Sequence, residues 1–514
     1  MVPIFSLAFS LAFSSVAPAA DEKESFFPAT LQGTDPQRVF SIGNDTRIGF
    51  SQLGIWPNML CKSTSDPICD FKNSIGGTDS QIRATAALNV CTSSENNDCI
   101  ESIEISRDGS NFSKLQFEKY VVGGTCDGFA SAGCAYPPDI AMNLPRGGNI
   151  SVWSEIINGK AQSTKYLVTY EYALSYDERV KKFFIGTVSF AIRPMKEVNE
   201  SRWDSLWSEN GKSGIQLDFQ PDVTMRATIH LSNQTVGWFR ARMQDVNIEI
   251  LPLNFSNSRL IVSGKAVTVP NFAVKRNVAE LNSIETAFAS HFGYHKGVVG
   301  AESQSSEIFP YVEYWRSNLK ETAAFTNTYW SLNSTAWVSQ NKCLNDTTRV
   351  VGLVSTNAMG YDFNVPKFTD GFLNYRVTGF HFGPDGVTPN IGTYDLVLRS
   401  DAARCLYGFS DAPVSATVEI AGADGIQNIS TTVVTEKDGW LKMKAAGFTF
   451  SEKQIKVKIT QDGSTGKKVS EKTEVVIPMS SKLKKSTITC VKGKITKKVT
   501  AVSPKCPAGY KKKA

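Results

Sequence analysis

The chain has 514 residues, of which 41% are hydrophobic and 11% aromatic, with ten cysteines and a formal net charge of +6. That apolar content excludes a disordered chain, and the length exceeds what one core organises, so two to four domains are expected. Past the N-terminus no run reaches the roughly 18 consecutive apolar residues of a spanning helix, so no transmembrane anchor is expected.

Residues 1–20, MVPIFSLAFSLAFSSVAPAA, carry no charge, and DEKES follows at once. The apolar stretch from Val2 to Leu11 is broken by Pro3, Ser6 and Ser10, too short and too polar to span a bilayer. Ala17-Pro18-Ala19 is a small-x-small cleavage site. The segment reads as a signal peptide cut near Ala19 or Ala20, with a buried N-terminal strand as the alternative. The usual basic residue near the start is missing, which points to an upstream start codon or an atypical signal. Residues 21–40 read as a linker.

The cysteines are ordered. Cys61 and Cys69, Cys91 and Cys99, and Cys126 and Cys134 each enclose seven residues, mostly small or polar. Cys343 and Cys405 form a long-range pair, and Cys490 with Cys506 a last one. Five disulfides between sequential cysteines are the natural reading for an exported chain. Each short loop would contribute about 2.5 kcal/mol and the Cys343–Cys405 loop about 4. A zinc site would require CxxC spacing or histidines near in sequence, and no pair has either.

From 41 to 275 short alternating runs dominate: Tyr166–Tyr172, Phe183–Arg193, Val246–Leu251, and Arg259–Val269 read as two strands about a Ser-Gly turn. This β-rich region holds the three C-x7-C loops and comprises one or two domains. Trp203, Leu206 and Trp207 stand at helical spacing, which predicts a brief helix. Residues 276–324 form a helical bridge, with helices predicted over Val278–Phe292 and Ser306–Thr322; Pro310 falls in the first turn of the second, where it is tolerated.

Residues 325–480 return to strands. Trp330, Leu332 and Trp337 alternate with polar residues. Further runs are Val350–Val354, Leu373–Val377, Tyr394–Leu398, Ala416–Ile420, Ser430–Val434, Trp440–Lys444 and Ile455–Thr460. Turn signals such as Asp438-Gly439 separate them. The expected fold is mainly β, a multi-domain β-sandwich with an immunoglobulin-like C-terminal domain and a short helical segment mid-chain.

Residues 481–514 carry the charge. Lys482, Lys484, Lys485, Lys492, Lys494, Lys497, Lys498, Lys505, Lys511, Lys512 and Lys513 make +11 with no acid, which leaves −5 for the rest of the chain. Two β-prone runs, Thr487–Val491 and Ile495–Val502, flank a Lys-Gly-Lys turn, and the last cysteine pair would staple them. Such a tail attracts polyanions; in an exported protein these are anionic cell-envelope polymers. No recognition motif accompanies the charge, so nucleic acid is not expected as a partner.

No residue is assigned a catalytic, cofactor or metal role. His291 and His295 are four apart, but Gly293 lies between them and no HExxH glutamate is present, so a helix C-terminus is the simpler role. His230 and His381 lie in strand-like runs and are expected to pack. There is no G-x-S-x-G elbow. Trp56, Trp153, Trp330 and Trp337 could stack carbohydrate, although core tryptophan is the commoner use in a sandwich.

The end of the chain, TITCVKGKITKKVTAVSPKCPAGYKKK, resembles a short basic module on exported proteins of actinobacteria, especially freshwater lineages. The segment from YDLVLRSDAARCLYGFSDAPVSATVEI to KDGWLKMKAAGFTFSEKQIKVKIT is similar to a β domain of the same uncharacterised proteins. The likeness covers roughly residues 325–514, and more loosely the upstream C-x7-C run with DCIESIEI. It implies a bacterial source and an extracellular or cell-wall setting, and brings no activity with it. The expectation is a non-catalytic surface protein for binding, adhesion or structure, retained by its tail. The alternative is a secreted hydrolase of polysaccharide or peptide, which would need a deep cleft between 41 and 320 lined by two close carboxylates.

Overall fold

The computed structural model describes residues 37–43, 59–60, 83–92, 98–121, 135–202, 205–292, 298–302, 307–335, 341–346, 348–362, 364–409, 414–422, 425–429, 433–450, 453–461, 486–492, 495–501 and 510–512. The signal-like segment, most of the linker, Trp56, Trp203, Trp337 and His295 lie outside them. So do Cys61, Cys69, Cys126, Cys134 and Cys506.

The protein is mainly β with several sheets and a short helical segment, as its period-two alternation predicts. It divides into two compact units, residues 1–462 and 463–514.

The longest sheet of the first unit is built on a hairpin of unusual length. Lys160–Asp177 and Lys182–Val198 pair antiparallel from Lys165 with Met195 to Asp177 with Lys182. At about 3.3 Å per residue each arm runs roughly 60 Å. Phe325–Thr335, Gly237–Arg242, Val350–Thr356, Ile391–Arg399 and Trp440–Thr449 continue the sheet in that order. Gly237–Arg242 and Val350–Thr356 are parallel, whereas the other neighbours along this path are antiparallel. The sheet therefore crosses the expected boundary at residue 325. A six-stranded sheet that includes Phe372–Thr378, Lys453–Gln461 and Val414–Gly422 encloses a core of Tyr375, Tyr394, Leu396 and Ile455 with the end of the long sheet.

A smaller sheet pairs Gln37–Gly43 with Ala273–Asn277 and Val298–Glu302. Val39 and Phe40 are fully buried, so a strand begins inside the segment read as a linker. Against it pack helices Ser283–Phe292 and Ile308–Asn318, with Phe40, Phe272, Tyr311 and Trp315 in one aromatic core. Asn282 starts the first helix: its Oδ1 accepts from the Ile284 and Glu285 amides at 2.9 Å each. A 3-10 turn, Val278–Glu280, replaces the expected first helical residues.

Three other expectations need correction. Trp207–Glu209 is a strand rather than a helix, paired with Lys212–Gln216, because Gly214 lets the Trp207 indole lie over the backbone. Asn257–Lys265 is one strand through Ser263 and Gly264, and the chain breaks only at Ala266. Gly264 is needed for close approach: a Cβ there would stand 3.0 Å from the Gln244 carbonyl oxygen. His381 sits in a bend just past Phe372–Thr378, where its Nδ1 lies 3.0 Å from the Phe450 carbonyl.

In the second unit Ser486–Lys492 pairs with Ile495–Ala501, Lys492 facing Ile495, and with Lys511–Lys512. The hairpin therefore forms where the sequence places it.

Candidate functional site

A five-stranded sheet of the first unit presents the site. Its strands are β1 (Cys99–Ser106), β2 (Ser113–Lys114), β3 (Thr224–Ser232), β4 (Gln244–Pro252) and β5 (Asn257–Lys265), in the spatial order β4-β5-β3-β1-β2. Alternation divides its faces. Ile100, Ile103, Ile105, Met225, Ala227, Ile229, Leu260 and Val262 point into the main core. Glu104, Arg226, Thr228, Arg259 and Ser263 fall on the other face, in rows set by the register: Cys99 faces His230 and His230 faces Arg259, while Glu104 faces Arg226 and Arg226 faces Ser263.

A bulge shapes one end. Ile229 pairs with Ile100 but Thr228 pairs with Ser102, so Glu101 is the extra residue. It turns onto the polar face. The result is an open trough of about 490 Å³, lined by Glu101, Glu104, Arg226, Asp245, Arg259 and Lys265 among others.

The trough's charges are paired. Arg226 Nε donates to Glu104 at 2.6 Å, and its guanidinium lies 4.0 Å from the Phe112 ring centroid. Arg259 Nε donates to Glu101 Oε2 at 2.6 Å with a second contact from its terminal nitrogen. Lys444, from the long sheet, pairs with Asp245 at the far rim. Burial alone would raise the Glu101 carboxyl, but the hydrogen bonds of Arg259 and His230 and the Arg259 charge outweigh it and hold the group below its usual range.

His230 joins the trough to the cysteines. Its Nε2 lies 3.1 Å from Glu101 Oε2, and its Nδ1 lies 3.3 Å from Cys99 Sγ and 3.8 Å from Cys91 Sγ. Cys91 and Cys99 are disulfide-bonded. No histidine lies near this pair in sequence, and the structure supplies one from 131 residues away along the chain.

Behind this end lies a polar knot. Asn257 donates to Asp98, Tyr170 donates to the His230 carbonyl at 2.8 Å, and the Tyr170 and Tyr172 hydroxyls are 3.0 Å apart. Burial pushes the Asp98 carboxyl up to about 7, against the hydrogen bonds of Tyr172 and Asn257. A second raised carboxyl is Asp395, also at about 7 through burial. The Asp245 amide is hydrogen-bonded to it, and Asp245 itself adopts a left-handed φ of 57°.

The residues singled out from sequence fall elsewhere. Cys343 and Cys405 are disulfide-bonded, as expected. Cys490 lies in the Ser486–Lys492 strand. Trp153 and Trp330 are 4% and 1% exposed, which removes them as sugar-stacking surfaces. His291 ends its helix with Nε2 3.0 Å from Glu307 Oε2. Lys498 and Lys511 are exposed, and Lys492, Lys497 and Lys512 lie in strands. Lys482, Lys484, Lys485, Lys494, Lys505 and Lys513 lie outside the described residues. Among the described residues no helix is long and apolar enough to cross a membrane.

Compared with protein-family models, curated proteins and solved structures, the chain matches none.

Proposed function

We propose that this is an exported cell-surface or envelope protein that binds rather than catalyses. It holds a polar chain, such as a carbohydrate, in the trough, and its Lys-rich tail keeps it on anionic envelope polymers. The observation that carries the reading is the pairing inside the trough. Glu104 meets Arg226 from the adjacent strand, Glu101 meets Arg259 from two strands away, and Asp245 meets Lys444 from the long sheet. A carboxylate paired with a cation keeps oxygen lone pairs that accept from hydroxyls, and Glu101, held below its usual range, is a poor proton donor. Two disulfides support an oxidising setting, and the likeness of residues 325–514 to exported actinobacterial proteins points the same way.

One observation favours the hydrolase reading: the carboxyls of Asp98 and Asp395 are raised to about 7, the range of a general acid. Neither lines the trough, which is open rather than a deep cleft.

Two variants test the proposal. Deleting residues 481–514 should move the protein from the envelope fraction to the medium, and unchanged retention overturns the anchoring role. Ser263→Trp fills the trough floor and should lower binding to isolated envelope glycans about tenfold while leaving the circular dichroism spectrum unchanged. Undiminished binding overturns the trough as the binding face.

A further inference from the structure

We propose that Cys91, Cys99 and His230 form a metal site that opens when the Cys91–Cys99 disulfide is reduced, and that it takes a soft, thiophilic divalent cation of the Zn²⁺ class. This site is independent of the polymer-binding reading.

The geometry is nearly that of a bound metal. With metal–sulfur bonds of about 2.3 Å and metal–nitrogen bonds of about 2.0–2.1 Å, a tetrahedral centre places nitrogen and sulfur about 3.5 Å apart. His230 Nδ1 already stands 3.3 Å from Cys99 Sγ and 3.8 Å from Cys91 Sγ. The three ligand atoms lie within 4.8 Å of one another. Only the two sulfurs have to part, which rupture of their bond allows.

The scaffold does not depend on that bond. The Cys91 amide donates to the Ile100 carbonyl at 2.9 Å, and the Ile100 amide donates to Asn89 at 2.9 Å. Cys99 is the register partner of His230 across β1 and β3. Backbone ladders thus keep the ligands together after reduction.

The ring is already oriented. Glu101 can only accept, so His230 Nε2 carries the proton and Nδ1 presents its lone pair to the sulfurs. Arg259 fixes Glu101 in turn. A carboxylate behind the ligating histidine is the usual outer support of a zinc site. Charge also balances: two thiolates neutralise the divalent ion, and Arg259 neutralises Glu101. Three protein ligands leave the fourth position to water or an added ligand.

The electron balance is simple. A dithiol reductant passes two electrons to the disulfide by exchange, ending as its own disulfide and leaving two thiols. The cation then displaces both thiol protons, which pass to solvent.

The test uses the full chain reduced with a phosphine, which takes up the oxygen of one water and ends as its oxide. Co²⁺ should give a thiolate-to-metal charge-transfer band. His230→Gln should weaken binding about tenfold or more, whereas Cys343→Ser with Cys405→Ser should leave this band's affinity unchanged. A band equally strong in His230→Gln overturns the site. A footprint on the unmutated chain decides the matter if a variant misfolds. Zn²⁺ should protect Cys91 and Cys99 from alkylation and His230 from carbethoxylation, and equal labelling with and without Zn²⁺ overturns the proposal.

Discussion

Glu101 in the trough and Asp395 in the long sheet beneath Asp245 respond to their surroundings in opposite ways. Glu101 is held ionised by Arg259 and His230, whereas Asp395 is buried to 6% exposure and pushed up to about 7. Burial is its largest influence, and the opposing Lys444 charge is outweighed. A carboxyl whose folded pKa lies above its unfolded value binds its proton more tightly in the folded chain. Stability therefore falls as pH rises from the ordinary value of 3.8 to about 7, and the full penalty persists above that. Asp395→Asn keeps an acceptor for the Asp245 amide without the charge. It should stabilise the protein at pH 8 by up to about 4 kcal/mol, and by less at pH 5. Urea midpoints at the two pH values check this, and an equal gain at both would contradict it. A steric case is Gly352, where a Cβ would lie 2.7 Å from both the Trp238 ring and the Val397 carbonyl oxygen. Backbone cannot yield as a side chain can, so Gly352→Ala should cost about 1–3 kcal/mol in the same assay. Neither Asp395 nor His230 announces itself in the sequence. Asp395 occupies a strand position that alternation alone leaves ambiguous, and His230 meets Cys99 only because strand register brings distant segments side by side.

At the scale of elements, the strands were legible from alternation and from residue type. Tyr166–Tyr172, Phe183–Arg193 and Val246–Leu251 all lie inside strands; Val246–Leu251 alternates between a wet and a dry side, whereas Tyr166–Tyr172 is buried on both faces and is marked by its aromatic and β-branched residues. The tryptophans show the limit of that signal: an aromatic at a strand position does not say which face it takes. The helix Ser400–Tyr407 was not foreseen. It follows the Ile391–Arg399 strand without a break, and eight residues are too few to establish a helical period. Gly408 ends it at a left-handed φ of 67°. Its Cys405 is tied to Cys343 over a sequence separation of 62. Replacing both cysteines by serine should therefore lower stability by about 4 kcal/mol, against about 2.5 for Cys91 with Cys99, whose separation is 8. Denaturant midpoints of the two double variants check the ranking, and a larger loss from the short loop would reverse it. The helix Ile308–Asn318 offers a further test. Trp315 is fully buried beside Phe40 and Phe272, so Trp315→Ala should cost about 3–5 kcal/mol, read as a fall in melting temperature.

On the scale of the whole molecule, strand pairing among the described residues stays within each unit. Ser486–Lys492, Ile495–Ala501 and Lys511–Lys512 pair only with one another, and none joins a sheet of the first unit. Truncation after residue 462 should leave the main thermal transition within about 2 °C of the full chain, because no ladder is cut. Calorimetry of the two proteins checks it, and a large downward shift would show that the units share stability. The charge division falls inside the second unit, at residue 481, and it was readable from composition alone because lysine counts need no fold.

Under the surface attachment proposed above, the hairpin of Lys160–Asp177 and Lys182–Val198 acquires a mechanical meaning. Tension along its arms loads the whole ladder in shear, so its hydrogen bonds must fail together. Tension across the arms peels them apart one pair at a time. The same pairs that set the register thus make the protein stiff in one direction and weak in another, and which of these a tethered molecule meets depends on where it is gripped.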